Sequence, residues 1–181
     1  MKLTALLIAA FAVASTPALA APGPGQPAPA FRGVDVNGKP VSLADFRGKT
    51  VVLEWNNPNC PFVQKHYTSG NMQSLQQKNT AAGVVWLAIN STTESHSDYM
   101  APVKLAAWFG EQKAAPTGVV MDPKGEIGRT YGAKVTPHMY VIDAKGTLVY
   151  AGAIDDKRSA NPADIKTSTN HVAAALREVA A

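Results

Sequence analysis

Residues 50–67, TVVLEWNNPNCPFVQKHY, constrain this chain most, because they place its one cysteine between a strand pattern and a helix pattern. The apolar run Val51–Trp55 has the length and composition of a buried β-strand, and the turn-forming residues 56–59 end it. Proline is tolerated at the first helical position, so Pro61 predicts a helix with Cys60 as its N-cap. The positive end of a helix dipole favours a thiolate, which suits redox or covalent chemistry.

The first twenty residues have the pattern of an export signal. Lys2 precedes an apolar run at 3–13, and the sequence ALA at 18–20 has the small residues of a cleavage site. We therefore expect residues 1–20 to be a cleaved signal peptide and Ala21 to begin the mature chain. The expected location is outside the cytoplasm, in the bacterial periplasm. No segment approaches the roughly 20 apolar residues of a membrane span, so none is predicted.

Charge and cysteine content bear on the possible partners. The 181 residues include 17 Lys and Arg and 13 Asp and Glu, for a net charge of +4, and removal of residues 1–20 takes away only Lys2. Basic residues do not cluster, so a nucleic-acid partner is not expected. One cysteine cannot form an internal disulfide. In an oxidising compartment it would pair with another chain or be oxidised unless it is protected or used.

The rest of the chain predicts one domain at 31–181, preceded at 21–30 by an exposed Pro- and Gly-rich arm that should not join a sheet or helix. The helix after Cys60 is interrupted at 68–71, and a second continuous apolar run follows it, as in a βαβ unit. The other predicted elements are a hairpin at 31–43, strands at 84–89 and 117–121, helices at 102–109 and 162–179, a short helical turn at 126–131 and a second hairpin at 138–151.

Three segments resemble the thioredoxin superfamily. Residues 27–55 resemble the opening of its redoxin group, which includes the TlpA-like and AhpC/TSA-like branches, and residues 135–152 resemble its cis-proline loop and hairpin. With residues 55–67 they cover nearly all of the predicted domain. The resemblance implies an α/β thioredoxin-like fold, with a central mixed β-sheet flanked by helices, an N-terminal β-hairpin extension and a βα-type insertion. It implies no cofactor.

The resemblance also implies that Cys60 is the catalytic nucleophile. Dithiol enzymes of the thioredoxin type carry C-x-x-C at the helix start, whereas this chain has CPFV at 60–63. Without a second thiol, an external thiol has to resolve a mixed disulfide. In the peroxiredoxin pattern, P-x-x-x-T-x-x-C with a distant arginine, the proline, threonine and arginine positions are occupied here by Leu53, Asn57 and Pro137.

The pair Thr136-Pro137 instead resembles the thioredoxin arrangement, in which the proline is cis and the preceding residue offers its backbone to the substrate. We therefore expect a cis bond there, within van der Waals reach of the Cys60 sulfur. Glu54, six residues before the thiol, resembles the buried acid that assists proton transfer in thioredoxins. Alternatively, Glu54 points to solvent or to a lysine.

Several polar residues have a functional and a structural interpretation. Asn57 either hydrogen-bonds a bound oxygen or sulfur, or only forms the turn. His66 lies off the helical face of Cys60 and is a weak candidate for a base. His96 and Asp98 have the spacing of a metal pair, but two ligands in a polar loop are usually solvated, so no metal is predicted.

The sequence leaves three alternative functions. The first is an exported monothiol redox protein whose Cys60 reacts with disulfides or oxidised thiols, with protein or small-molecule thiols as partners. The second is a peroxiredoxin-like thiol peroxidase, which passes through a sulfenic acid. The third is a peptide-binding module in which Cys60 only packs. The oligomeric state and the physiological partner are left open.

Overall fold

The apolar run before Cys60 forms the central strand of a seven-stranded sheet. In this computed structural model, which describes residues 21–181, all five residues of that strand are buried because the sheet is covered on both faces. The predicted signal peptide, residues 1–20, lies outside the described residues. The strands are β1 (Arg32–Asp35), β2 (Pro40–Ser42), β3 (Val51–Trp55), β4 (Val85–Asn90), β5 (Gly118–Met121), β6 (His138–Ile142) and β7 (Leu148–Gly152).

The sheet is mixed, with the strand order β2-β1-β5-β4-β3-β6-β7. Strand β3 pairs in parallel with β4, which pairs in parallel with β5, and the remaining pairs are antiparallel. The β1–β2 hairpin extends one edge through β5. The fold-class prediction is therefore confirmed. The predicted N-terminal hairpin is the β1–β2 pair, and the predicted insertion is the helix and strand that follow β4 in the chain.

Within residues 21–181, five α-helices pack around the sheet, together with 3-10 helices at Leu43–Phe46 and Pro162–Thr167. They are α1 (Pro61–Thr68), α2 (Asn71–Ala81), α3 (Pro102–Glu111), α4 (Glu126–Tyr131) and α5 (His171–Ala180). The interruption predicted after Cys60 is confirmed, because Gly70 adopts a left-handed φ of 74° between α1 and α2. Helices α1, α2, α3 and α5 contribute to one apolar core, and α4 contributes to the core on the opposite face.

The prediction of one helix over 162–179 was wrong. A 3-10 helix ends at Thr167, Ser168 is extended, and α5 begins only after Asn170, whose side chain accepts a hydrogen bond from Ala173 N. A side-chain cap of this kind starts a new helix. Ile165 therefore lies on the 3-10 helix and not on α5.

The prediction that the Pro- and Gly-rich arm cannot join a sheet was also wrong in part. The arm is mostly exposed, but Pro27 forms an antiparallel bridge with Thr147. Gly25 N donates to Leu148 O at 2.8 Å, and Leu148 N donates to Gln26 O at 2.9 Å. These bonds occupy part of the outer edge of β7. Pro27 is compatible with this edge position, because its missing N–H faces away from the sheet.

Within residues 21–181, none of the helices is long and apolar enough to cross a membrane.

Candidate active site around Cys60

Cys60 lies at the N-cap of α1, as the Pro61 pattern predicted. Its backbone is extended, and its side chain makes no capping bond to the helix. The Sγ–H instead donates to Thr136 O at 3.0 Å, across 76 residues of sequence. The half-buried thiol thus lies between the N-terminus of α1 and the carbonyl of the Thr136-Pro137 loop.

Sheet pairing explains why the cysteine and the Thr136-Pro137 loop meet. Strand β6 runs antiparallel to β3, with Trp55 opposite His138, so the end of β3 and the start of β6 lie at the same edge of the sheet. The loop after β3 and the loop before β6 therefore emerge side by side. The Thr136–Pro137 peptide bond is cis, Pro137 is buried and Thr136 is half-buried.

The loop before Cys60 is held by Asp98, which the sequence suggested only as half of a possible metal pair. Asn57 Nδ2 donates to Asp98 Oδ2 at 3.3 Å, and Asn59 Nδ2 donates to Asp98 Oδ1 at 3.2 Å. Asn57 Oδ1 accepts from Asn59 N at 2.9 Å, and Asn57 O accepts from Cys60 N at 3.0 Å. The amide of Asn57 is thus used within the loop, which is the turn interpretation of this residue.

The suspected metal pair is part of the same loop structure. His96 Nδ1 accepts from Asp98 N at 3.1 Å, so the two residues form a local turn. Among the residues that the structure describes, no group of three or more His, Cys, Asp or Glu side chains is placed to hold a metal ion.

Glu54 is fully buried and accepts four hydrogen bonds, which excludes the alternative that it faces solvent or a lysine. The donors are Asn56 Nδ2 and Tyr67 OH to Oε1, at 3.0 and 2.8 Å, and Gln76 Nε2 and Trp86 Nε1 to Oε2, at 3.1 and 2.8 Å. Burial raises the pKa of Glu54 above its ordinary value of 4.5, and the four donors oppose that rise.

The network around Glu54 extends toward the loop of Cys60 through Asn56. The Asn56 backbone is tied to the last two residues of β4, because Asn56 N donates to Ile89 O and Asn90 Nδ2 donates to Asn56 O. Its side-chain Oδ1 is buried and has no hydrogen-bond partner among residues 21–181. Asn56 and Tyr67 are site residues that the sequence did not single out.

We expect Glu54→Gln to remove a pH dependence of stability. A raised folded pKa means that the native carboxyl keeps its proton when the unfolded one has lost it, so stability falls as pH rises from 4.5 to the folded pKa. In that window the wild type should lose about 1.4 kcal/mol per pH unit relative to the variant. Urea denaturation at a series of pH values measures this difference. The exposed Glu178→Gln keeps Glu54 and is the control, so its stability should follow that of the wild type across this pH range. If the wild type instead gained stability relative to Glu54→Gln as pH rises, the four donors would outweigh burial.

A second buried polar cluster lies on the other side of α1. Lys65 Nζ donates to Asp155 Oδ2 at 2.9 Å, and both side chains are almost completely buried. His66 Nε2 lies 3.7 Å from the same oxygen, and His66 Nδ1 is 2.9 Å from Asn71 Nδ2. Burial, reinforced by the charge of Lys65 and opposed by Asp155, lowers the pKa of His66 to about 4, so its ring is neutral at neutral pH.

A groove lies beside the cysteine loop and is lined by residues of both the Thr136-Pro137 loop and the cluster around His66. We call it the Pro137 groove. It is lined by Phe62 and His66 of α1, by residues 135–137 and by the segment 153–158 after β7. Phe62 and Val135 are exposed by 41% and 61% and so add apolar surface to the lining of the groove. His66, judged from sequence to point away from the site, therefore lines the groove next to it.

The family of the chain can now be stated from its match to known proteins. The AhpC/TSA family profile matches residues 24–151, which include the sheet, Cys60 and the Thr136-Pro137 loop. The chain belongs to the AhpC/TSA family. This confirms the predicted membership of the redoxin group of the thioredoxin superfamily.

Individual relatives of this AhpC/TSA protein carry two kinds of name. Thiol-disulfide oxidoreductase ResA of Bacillus thuringiensis subsp. konkukian (strain 97-27) is 26% identical over 125 residues, covering 69% of this chain and 66% of ResA. The chain thus spans just under two thirds of that relative. A protein of Mycobacterium tuberculosis (strain CDC 1551 / Oshkosh), provisionally named a peroxiredoxin, is 27% identical over 161 residues, covering 86% of this chain and 94% of that protein.

A solved structure agrees with the fold. The crystal structure of a Chlorobium tepidum protein, provisionally described as thiol:disulfide interchange protein DsbE, has a TM-score of 0.58 and 27% identity to this chain. The similarity covers 85% of this chain and 98% of that one. The thioredoxin-like fold predicted from the sequence is therefore confirmed.

Proposed function

We propose that this AhpC/TSA protein is an exported thiol-disulfide oxidoreductase that works with a single nucleophilic cysteine. The observation that carries the proposal is the position of the Cys60 thiol. It lies at the N-terminus of α1, 3.0 Å from Thr136 O and at the edge of the open Pro137 groove. A partly exposed thiol at a helix N-terminus is the environment of reactive cysteines rather than of packing cysteines. Export is supported by the signal-like residues 1–20.

The reaction needs two exchange steps. The Cys60 thiolate attacks one sulfur of a disulfide, forms a mixed disulfide and expels the other sulfur as a thiolate. Because this chain has no second cysteine, an external thiolate must then attack the substrate sulfur of the mixed disulfide. That step forms a new disulfide and regenerates the Cys60 thiolate.

Supporting roles are proposed for the residues around the thiol. Pro61 begins the helix, and Asn57 with Asp98 holds the preceding loop. Thr136 and Pro137 form the surface against which the substrate chain would lie, since Thr136 O is already the partner of the Cys60 thiol. Glu54 is the buried carboxyl whose raised pKa suits it to accept and return a proton.

Peroxide reduction is the second candidate, favoured by the M. tuberculosis relative whose name assigns it to the peroxiredoxins. Against it, Asn57 and Pro137 occupy the threonine and arginine positions of the peroxiredoxin pattern. Moreover, the Asn57 amide is bound to Asp98 and Asn59. A peroxide bound beside Cys60 would therefore lack two polar supports.

A competition between the two chemistries tests the proposal. The reduced protein is mixed with equal concentrations of bis(2-hydroxyethyl) disulfide and hydrogen peroxide in the presence of dimedone, and its mass is followed with time. We expect the mass of the mixed disulfide to appear first. Dominance of the dimedone adduct would instead support the peroxidase, and the absence of both products would favour the binding module with an inert Cys60.

A further inference from the structure

The Pro137 groove has the size of a small-molecule site. It encloses about 470 Å³, within the range of about 300–1,000 Å³ of ligand pockets. Its floor is apolar and buried at Pro137 and Ile154, and it is also lined by Thr136, whose carbonyl oxygen is 3.0 Å from Cys60 Sγ. A molecule in the groove would therefore lie beside the sulfur that reacts.

The charges at the rim of the groove do not cancel. Asp155 is paired with Lys65 at 2.9 Å, and Asp156 lies 3.9 Å from Lys157. His66 is neutral at neutral pH. Arg158 is exposed and, among residues 21–181, has no carboxylate within salt-bridge distance.

A second cation lies in the loop before β6. Lys134 precedes Val135 and Thr136 in the chain, is exposed, and likewise forms no salt bridge within the described residues. Arg158, which lines the groove, and Lys134, two residues before Thr136, therefore add positive charge near the Thr136-Pro137 loop, whereas the Asp98 carboxylate lies on the side of Asn57 and Asn59. Such a field attracts anionic ligands and repels cationic ones.

We propose that the Pro137 groove selects low-molecular-weight thiols and disulfides that carry a carboxylate, which binds at Arg158 while the sulfur meets Cys60. This inference rests on the proposed function and specifies its small partner. Arginine suits the role because its planar guanidinium can hold a carboxylate through two hydrogen bonds. The reaction is the same exchange, in which one sulfur of the anionic disulfide bonds to Cys60 and the other leaves as a thiolate.

Three symmetrical disulfides of similar length test the selection, because they differ mainly in charge. They are 3,3′-dithiodipropionate, which is anionic, bis(2-hydroxyethyl) disulfide, which is neutral, and cystamine, which is cationic. The second-order rate of mixed-disulfide formation is measured by mass for the wild type and for Arg158→Gln at low ionic strength. Each rate is expressed as the ratio of variant to wild type, so that the intrinsic reactivity of each disulfide cancels.

We expect Arg158→Gln to slow the reaction with dithiodipropionate by about three- to fivefold, the size of one exposed ion pair. The neutral disulfide should be unaffected, and cystamine should react faster. Added salt should reduce the differences, because it screens exposed charges. Lys145→Gln is the matched control, since Lys145 lies in the β6–β7 turn at the other end of the sheet and should change none of the ratios.

Two results would overturn the inference. If Arg158→Gln reacts with all three disulfides at the wild-type rate, so that every ratio is one, Arg158 makes no contact with a carboxylate. An equal slowing of all three would mean that it acts on Cys60 itself or on the folded state. In both cases the wild type still reacts with disulfides, so the proposed function stands. If the wild type reacts with none of the three disulfides, the proposed function fails first.

Discussion

Cys60→Ser should abolish disulfide exchange without weakening the fold. Removal of a reacting nucleophile typically lowers the rate by about 1,000-fold or more. The Cys60 side chain makes no capping bond to α1, whereas serine is a preferred N-cap residue, so the helix should be at least as stable in the variant. The measurement is the reduction of bis(2-hydroxyethyl) disulfide by an added monothiol, with urea denaturation of the same samples.

Moving the thiol distinguishes its position from its mere presence. The double variant Cys60→Ser, Ser69→Cys carries the single cysteine at the exposed C-cap of the same helix. There the negative end of the helix dipole disfavours the thiolate, and the thiol no longer lies beside the Thr136-Pro137 loop. We expect this variant to stay inactive. Full activity of either variant would contradict the proposed function, because the exchange would then not depend on a thiol at position 60.

Asp155→Ala should destabilise the protein strongly. It leaves the ammonium group of Lys65 buried, with the Lys157 carbonyl at 3.4 Å as its remaining hydrogen-bond acceptor in the described structure. Removing one partner of a buried ion pair typically costs about 3–5 kcal/mol, because the other charge is left uncompensated. Urea denaturation at pH 7 measures the loss of unfolding free energy.

The neighbouring Asp156→Ala is the matched control for that experiment. Asp156 is exposed and lies 3.9 Å from Lys157, although it also accepts a hydrogen bond from Thr169 N. Its removal should cost much less than the removal of Asp155, because exposed charges are screened by solvent. Replacing both buried partners, as in Lys65→Met with Asp155→Leu, should recover most of the stability. If Asp155→Ala costs no more than Asp156→Ala, the buried pair contributes little to folding.

The sequence was sufficient wherever a local pattern determines the structure. The apolar run before Cys60 and the proline after it identified the central strand and the N-cap, since both depend on neighbouring residues only. The same holds for the first hairpin, which depends on the Asn37-Gly38 turn. The helix predicted at 162–179 failed because the apolar spacing continued across Asn170, while a side-chain cap and contacts to the segment after β7 divided it.

Only the tertiary structure decided which distant polar residues surround the thiol. Asp98 reaches the cysteine loop over 39 and 41 residues, and Asp155 reaches Lys65 over 90. No periodicity relates such pairs, because each depends on how loops from different strands emerge at one edge of the sheet. Glu54 illustrates the division. Its place in a buried strand could be read from the sequence, but its four donors come from the loop after β3, from α1, α2 and β4, and are brought together only by packing.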